Sequence, residues 1–189
     1  MNSRVLEILV EERSMDLFLQ KILPKILPAD FELGVNCHVR IHEGKSDLQK
    51  SLERKMRAYP RFGYPVSVLV LHDQDSNDCI RLKQKLEEKC SPEIPSLIRI
   101  ACRELENWYL GDFSAIEKAY PKIKAEKYSN KAKFRNPDNL HGAEEMRKLL
   151  GKKYRSELTR EIAPHLNVSD NRSPSFNHFV TGLSKLLRG

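Results

Sequence analysis

Three short acidic clusters carry the chemistry this sequence could do. Glu11 and Glu12 follow the apolar run VLEILV, Asp73 and Asp75 follow VSVLVLH, and Glu104 and Glu106 follow LIRIAC. The runs are short, continuous and rich in branched apolar residues, as buried strands are. The acids therefore fall at the C-terminal ends of expected strands, the edge where open α/β sheets bind ligands. Residues i and i+2 of an extended segment share a side, so Asp73 and Asp75 are expected to aim at one point. Carboxylates held that close repel unless a cation lies between them. The natural cation is Mg²⁺ or Mn²⁺, which is hard, prefers oxygen, and is held by one or two carboxylates plus water and phosphate. Such an ion activates water and neutralises charge on a phosphate in transfer.

Other uses of these acids have to be weighed. An acid after a strand often caps the next helix, and Asp73, Asp75 or Ser76 could cap a helix starting near Ser76. That explanation suffices for one strand end and strains to cover three. An EF-hand loop from Asp73 is rejected, because its sixth position is Asp78 rather than Gly and its twelfth is Gln84 rather than Glu. A haloacid-dehalogenase-type phosphatase also places D-x-D after a strand, but leaves Glu11, Glu104 and Glu106 without a role. The phosphate-loop pattern G-x-x-x-x-G-K-[ST] is absent from the sequence.

The elements that must position these acids alternate. Strands are expected at residues 5–10, 33–41, 66–71 and 97–102, and helices at 15–27, 46–58, 76–89 and 104–110. Pro24 should break or bend the first helix near its end. Four strand–helix repeats with continuous apolar strands imply an α/β fold, a Rossmann-like, open, mostly parallel four-stranded sheet flanked by helices. After Asp112 the strand pattern stops. A short helix is expected at 114–119, a polar basic loop or subdomain at 120–140, and helices at 142–150, 154–163 and 176–187. The expected organisation is an α/β core over residues 1–112, with a basic loop and helical cap over 113–189 packed on it.

Bulk properties bound the reading. The chain has 189 residues, 40% apolar and 31% charged, which suits one soluble, well-cored domain. It shows no membrane-spanning run and no signal peptide, so a cytoplasmic location is expected. Cys37, Cys79, Cys90 and Cys102 include no C-x-x-C pair, so a structural zinc site is not expected; Cys37, His38 and His42 form at most a partial ligand set. The net charge of +7 is local. Residues 118–155 hold twelve Lys or Arg against four acids, and the remainder is about neutral. Beside the acids, that segment suits a polyanion such as nucleic acid; alone, it reads as a solvated face.

Several supporting residues have two readings. Lys45, in Gly44-Lys45-Ser46, either reaches a phosphate or faces solvent, while Ser46 should cap the second helix and Ser14 the first. Trp108 and Tyr109 read as core before base-stacking platform. Ser175 is the expected cap of the last helix, Arg172 a phosphate contact or a loop ion pair, and His72 and His178 structural.

A glutamate after the first strand and D-x-D after a later one resembles the TOPRIM pattern of topoisomerases, primases and overcoming-lysogenisation-defect nucleases. The string is closer still to a TOPRIM-like bacterial family, domain of unknown function 4276. The matching stretches are LVEERSMDLFLQKILPKILP, HEGKSDL, VLVLHDQDSNDC, RIACRELENWYLGD, AYPKI and NRSPSFNHFVTGL, from residue 9 to residue 183. TOPRIM proteins usually have glycine after the first-strand glutamate, where this chain has Glu12. The resemblance implies a TOPRIM-like sheet and a metal set of Glu11, Asp73 and Asp75, extended by Glu106. Glu104 and Lys45 are further catalytic candidates, and whether Glu104 or Glu106 serves stays open. It also implies an Mg²⁺- or Mn²⁺-dependent endonuclease acting on DNA or RNA, transfer RNA included. Such a chain would be the effector of an anti-phage system beside an AAA- or ABC-type ATPase, within a larger complex that could contain several copies of it. The alternative is a non-catalytic regulatory or nucleic-acid-binding subunit of that complex.

Overall fold

The computed structural model describes residues 4–188. It is an α/β protein with one open sheet of four parallel strands in the order β2-β1-β3-β4. The strands are β1 (Val5–Val10), β2 (Cys37–Ile41), β3 (Val66–Asp73) and β4 (Ser96–Ala101). Helices α1 (Arg13–Ile26), α2 (Lys45–Ala58) and α3 (Cys79–Glu87) make the crossovers. The chain leaves β1 toward β2, then returns across β1 to build β3 and β4. The order therefore reverses between β1 and β3, and that reversal opens the ligand crevice of such sheets.

Strand periodicity sorts the sheet into two faces. Leu6, Ile8, Val10, Leu69 and Leu71 face the larger core, and Leu9, Val66, Val68 and Val70 the smaller. Helices α2 and α3 cover the smaller face through Leu48, Leu52, Met56, Leu82 and Leu86. The larger face is covered by α1 and by the helices after β4. These are α4 (Glu106–Leu110), α5 (Phe113–Ala119), α6 (Ala125–Ser129), α7 (Gly142–Leu150), α8 (Arg155–Ile162) and α9 (Pro174–Arg188). Trp108, Phe18, Phe176 and Phe179 form an aromatic centre joining α1, α4 and α9, with Trp108 and Phe179 stacked at 5.2 Å. Trp108 and Tyr109 are fully buried, so both are core residues. Their polar tips are satisfied: Trp108 Nε1 donates to Ser175 Oγ at 2.7 Å, and Tyr109 Oη pairs with Thr159 Oγ1 at 2.8 Å.

The structure moves several expected boundaries. Strand β3 runs two residues beyond the apolar run and ends on Asp73 itself. Strand β2 starts at Cys37, because residues 33–36 form a turn bridged to it at Leu33. Pro24 lies inside α1 without ending it, near enough to the C-terminus that little of the hydrogen-bond ladder is lost. The basic stretch 120–140 is ordered by α6 and two 3₁₀ turns, pinned by buried Asn107, which donates to Pro137 O and Leu140 O. Among the described residues no helix is long and apolar enough to cross a membrane.

The expected caps also move. Helix α2 starts at Lys45 from Gly44, whose φ of 89° only glycine adopts at little cost, so Ser46 is already inside it. Ser14 sits in the first turn of α1 and bonds back to Glu12. Ser173, not Ser175, accepts the amide of Phe176 at the start of α9.

Candidate active site

Helix α3 starts only at Cys79, and its cap is Asp78, which accepts the Arg81 amide at 2.8 Å. Asp73, Asp75 and Ser76 are therefore not helix caps, which removes the simplest structural explanation of the D-x-D pair. Asp73 ends β3 in register with Ala101, and Glu11 follows Val10, which is in register with Leu71. Glu11 and Asp73 thus stand side by side at the switch point. Strand alternation puts Asp73 on the side of Leu69 and Leu71, facing the helical cap, and turns His72 to the other side.

The expected extended geometry fails at Asp75. Its φ is 51°, a left-handed conformation that non-glycine residues seldom hold, and Arg103 after β4 is similar at 60°. The two turns are tied together: Asp75 N donates to Arg103 O at 2.8 Å and Arg103 N to Gln74 Oε1 at 3.0 Å. Paired unusual backbones cluster at functional sites. A turn, rather than a strand, brings Asp75 round to the site, where its charge is felt by both Glu11 and Asp73. Lys45 pairs with Asp75 there, so it faces neither solvent alone nor an open phosphate position.

Glu104 and Glu106 separate into different jobs. Glu104 Oε2 accepts the Ala143 amide at 2.8 Å, capping the start of α7. Glu106 is 2% exposed and takes a two-pronged contact from Arg155, Nε to Oε1 at 2.8 Å and Nη2 to Oε2 at 2.9 Å. Glu104→Ala is expected to cost about 1 kcal/mol, as the loss of a cap does, lowering Tm by ~2–4 °C while leaving Mn²⁺ binding intact. Loss of Mn²⁺ binding in that variant, read by calorimetry, would place Glu104 among the ligands instead.

Arg155 is the residue that motif reading missed. Besides Glu106, its Nη1 reaches Asp73 Oδ2 at 2.8 Å and Glu12 Oε1 at 2.5 Å. Asp73 is 82 positions away and Glu12 is 143, so local sequence carries no signal of either contact. Glu12, which stands where TOPRIM proteins have glycine, is thereby given a partner. As the side chains stand, Lys45 pairs with Asp75 and Arg155 bridges Glu12, Asp73 and Glu106, and among the described residues no three acid, His or Cys side chains close on one point as around a bound ion.

The electrostatics are unbalanced. Burial lifts the Asp73 carboxyl well above the ordinary range against the pull of Arg155, with Glu106, Glu11 and Asp75 adding to the rise. Burial also raises Glu11, against the opposing charges of His72 and Lys45. Burial works the same way on Glu12, but bonds from Ser14 and Arg155 outweigh it and hold Glu12 low. Two carboxylate oxygens, Glu11 Oε2 and Asp73 Oδ1, are buried with no hydrogen-bond partner. His72 Nδ1 lies 3.3 Å from Glu11 Oε2 but gives its proton to Asp73 O at 2.6 Å, leaving that carboxylate oxygen unsatisfied. Unpaired buried anionic oxygens are costly, and a cation beside them offsets that cost. Two hard oxygens on adjacent strand ends fit a hard divalent ion, with Asp75 able to join by turning from Lys45.

A cleft of about 440 Å³ opens beside Glu106, lined by His141, Arg147, Lys152 and Lys153 together with Glu104. The basic stretch therefore borders the acid edge, although Lys124, Lys133, Lys148 and Lys153 each pair with a nearby glutamate. A larger groove of about 910 Å³ between α2 and α3, lined by Glu53, Arg57, Lys85 and Lys89, includes none of the clustered acids.

The profile of a family described as a domain of unknown function (DUF4276) matches residues 10–184. No curated protein and no solved structure matches the chain.

Proposed function

The chain belongs to that family of unknown function, and on the geometry of its acid edge we propose that it is a divalent-metal-dependent nuclease of TOPRIM type. The observation that carries the proposal is the pair of buried oxygens without a hydrogen bond, Glu11 Oε2 and Asp73 Oδ1, at the switch point of a parallel sheet. Glu11, Asp73 and Asp75 would hold Mg²⁺ or Mn²⁺, which supplies Lewis-acid stabilisation of phosphate charge and a nucleophilic water. The chain's own residues do the rest. The sheet edge fixes the carboxylates, Lys45 balances Asp75 until the ion arrives, and the cleft cations Arg147, Lys152 and Lys153 draw in the phosphate backbone. A phosphodiester in DNA or RNA is the substrate class that uses both the hard ion and the basic border. The kinship with overcoming-lysogenisation-defect nucleases, the ATPase partner and the anti-phage setting are part of the same proposal and rest on the sequence resemblance.

The test is cleavage of single- and double-stranded DNA and RNA by the purified chain, alone and with the proposed ATPase partner. Products are expected with Mn²⁺ or Mg²⁺ and none with EDTA. Cleavage unaffected by EDTA would refute the metal role.

A second reading has one observation in its favour. Lys45 and Arg155 already neutralise part of the acid set, as they would in a domain whose acids serve structure alone. In that case it is a regulatory subunit, and Mn²⁺ does not bind at all.

A further inference from the structure

Arg155 saturates one half of the acid cluster and leaves the other half open. Its guanidinium uses four N–H groups, two on Glu106, one on Asp73 Oδ2 and one on Glu12. Both oxygens of Glu106 are consumed. Asp73 is 3% exposed, and its second oxygen, Oδ1, has no hydrogen-bond partner; nor has Glu11 Oε2, which lies 3.3 Å from His72 Nδ1. The unsatisfied oxygens therefore belong to Glu11, after β1, and to Asp73, at the end of β3, and the satisfied ones meet Arg155 at the start of α8.

We propose that Arg155 occupies the position of a second metal ion, so that this site takes one divalent cation, between Glu11 and Asp73, and none at Glu106. The inference rests on the metal-dependent reading above and sharpens it: Glu106 leaves the expected ligand set and becomes the anchor of Arg155. Glu106 and Arg155 are then positioning residues.

Three physical points support this. A guanidinium stays protonated in proteins, so Arg155 cannot vacate the site by losing a proton. It can leave only by moving, and the chain on its C-terminal side is anchored. It is the first residue of α8, whose Leu158, Thr159 and Ile162 are buried, and its carbonyl accepts Thr159 Oγ1 at 2.9 Å. Its forked contact to Glu106 also matches carboxylate geometry in a way a lysine would not. Charge gives the third point. With all groups ionised, Glu11, Glu12, Asp73, Asp75 and Glu106 face His72, Lys45 and Arg155, a surplus of two negative charges. One divalent ion balances that surplus. Without Arg155 the surplus is three, more than one such ion balances.

The experiment is a Mn²⁺ titration of the full chain, followed by calorimetry and by the electron paramagnetic resonance of free Mn²⁺. Wild type is expected to bind a single equivalent, Glu106→Gln to keep it, and Arg155→Met to gain a second. Arg155→Lys, which keeps the charge and guards against a misfolded Arg155→Met, is expected to stay at one. Two equivalents in wild type, or loss of the equivalent in Glu106→Gln, would overturn the inference and leave the metal reading standing. No Mn²⁺ binding in wild type would overturn both.

Discussion

Asp73→Asn is expected to weaken Mn²⁺ binding by at least ~100-fold and to lower cleavage by about 10³-fold. The first figure follows from scale. Groups that merely orient a metal ligand cost 10–100-fold when removed, so a ligand itself should cost at least the upper end. The second corresponds to ~4 kcal/mol of lost transition-state stabilisation, ordinary for an electrostatic contact in a water-poor site. Asparagine keeps the shape of Asp73 and an oxygen for Arg155, which also retains Glu12 and Glu106. The far-ultraviolet circular dichroism of the variant should therefore match wild type, so that lost activity reads as lost chemistry. Cleavage at the wild-type rate by a folded Asp73→Asn protein would remove Asp73 from the mechanism.

Trp108→Ala is expected to be the most damaging substitution in the core, at about 3–5 kcal/mol. The indole is fully buried, touches the rings of Phe18, Phe176 and Phe179, and donates to Ser175 Oγ. Its removal leaves a cavity where α1, α4 and α9 meet and deprives Ser175 of the shorter of its two N–H donors, leaving the Cys102 amide. Against a domain stability of about 5–15 kcal/mol the variant should lose at least about a fifth of its stability. Equilibrium urea unfolding reads this directly. A midpoint within ~0.2 M of wild type would show that the aromatic centre does not hold the cap to the sheet.

Much of this site was legible because strands and their ends leave a simple mark. The run VSVLVLH announces β3, and whatever follows such a run stands at the sheet edge, so Asp73 and Glu11 could be placed together before any coordinates. What followed the strands was less legible. Asp tolerates extended and left-handed backbone alike, so nothing local revealed that Asp75 turns at φ 51°. Asp78 and Ser76 are both good caps, and tertiary packing chose Asp78. Glu104 and Glu106 are two residues apart and equally acidic. Only the packing of α7 and α8 against α4 sends one to the Ala143 amide and the other to Arg155. Arg155 itself was visible merely as the last of a run of basic residues. Its role arises from a contact across 143 positions, which no window of sequence contains.

Crystals soaked in Mn²⁺ and measured near the manganese absorption edge give the most direct test. The account predicts a single anomalous peak between the carboxylates of Glu11 and Asp73, with the Arg155 guanidinium still on Glu106. No peak at that position under saturating Mn²⁺, with the protein otherwise intact, would contradict it.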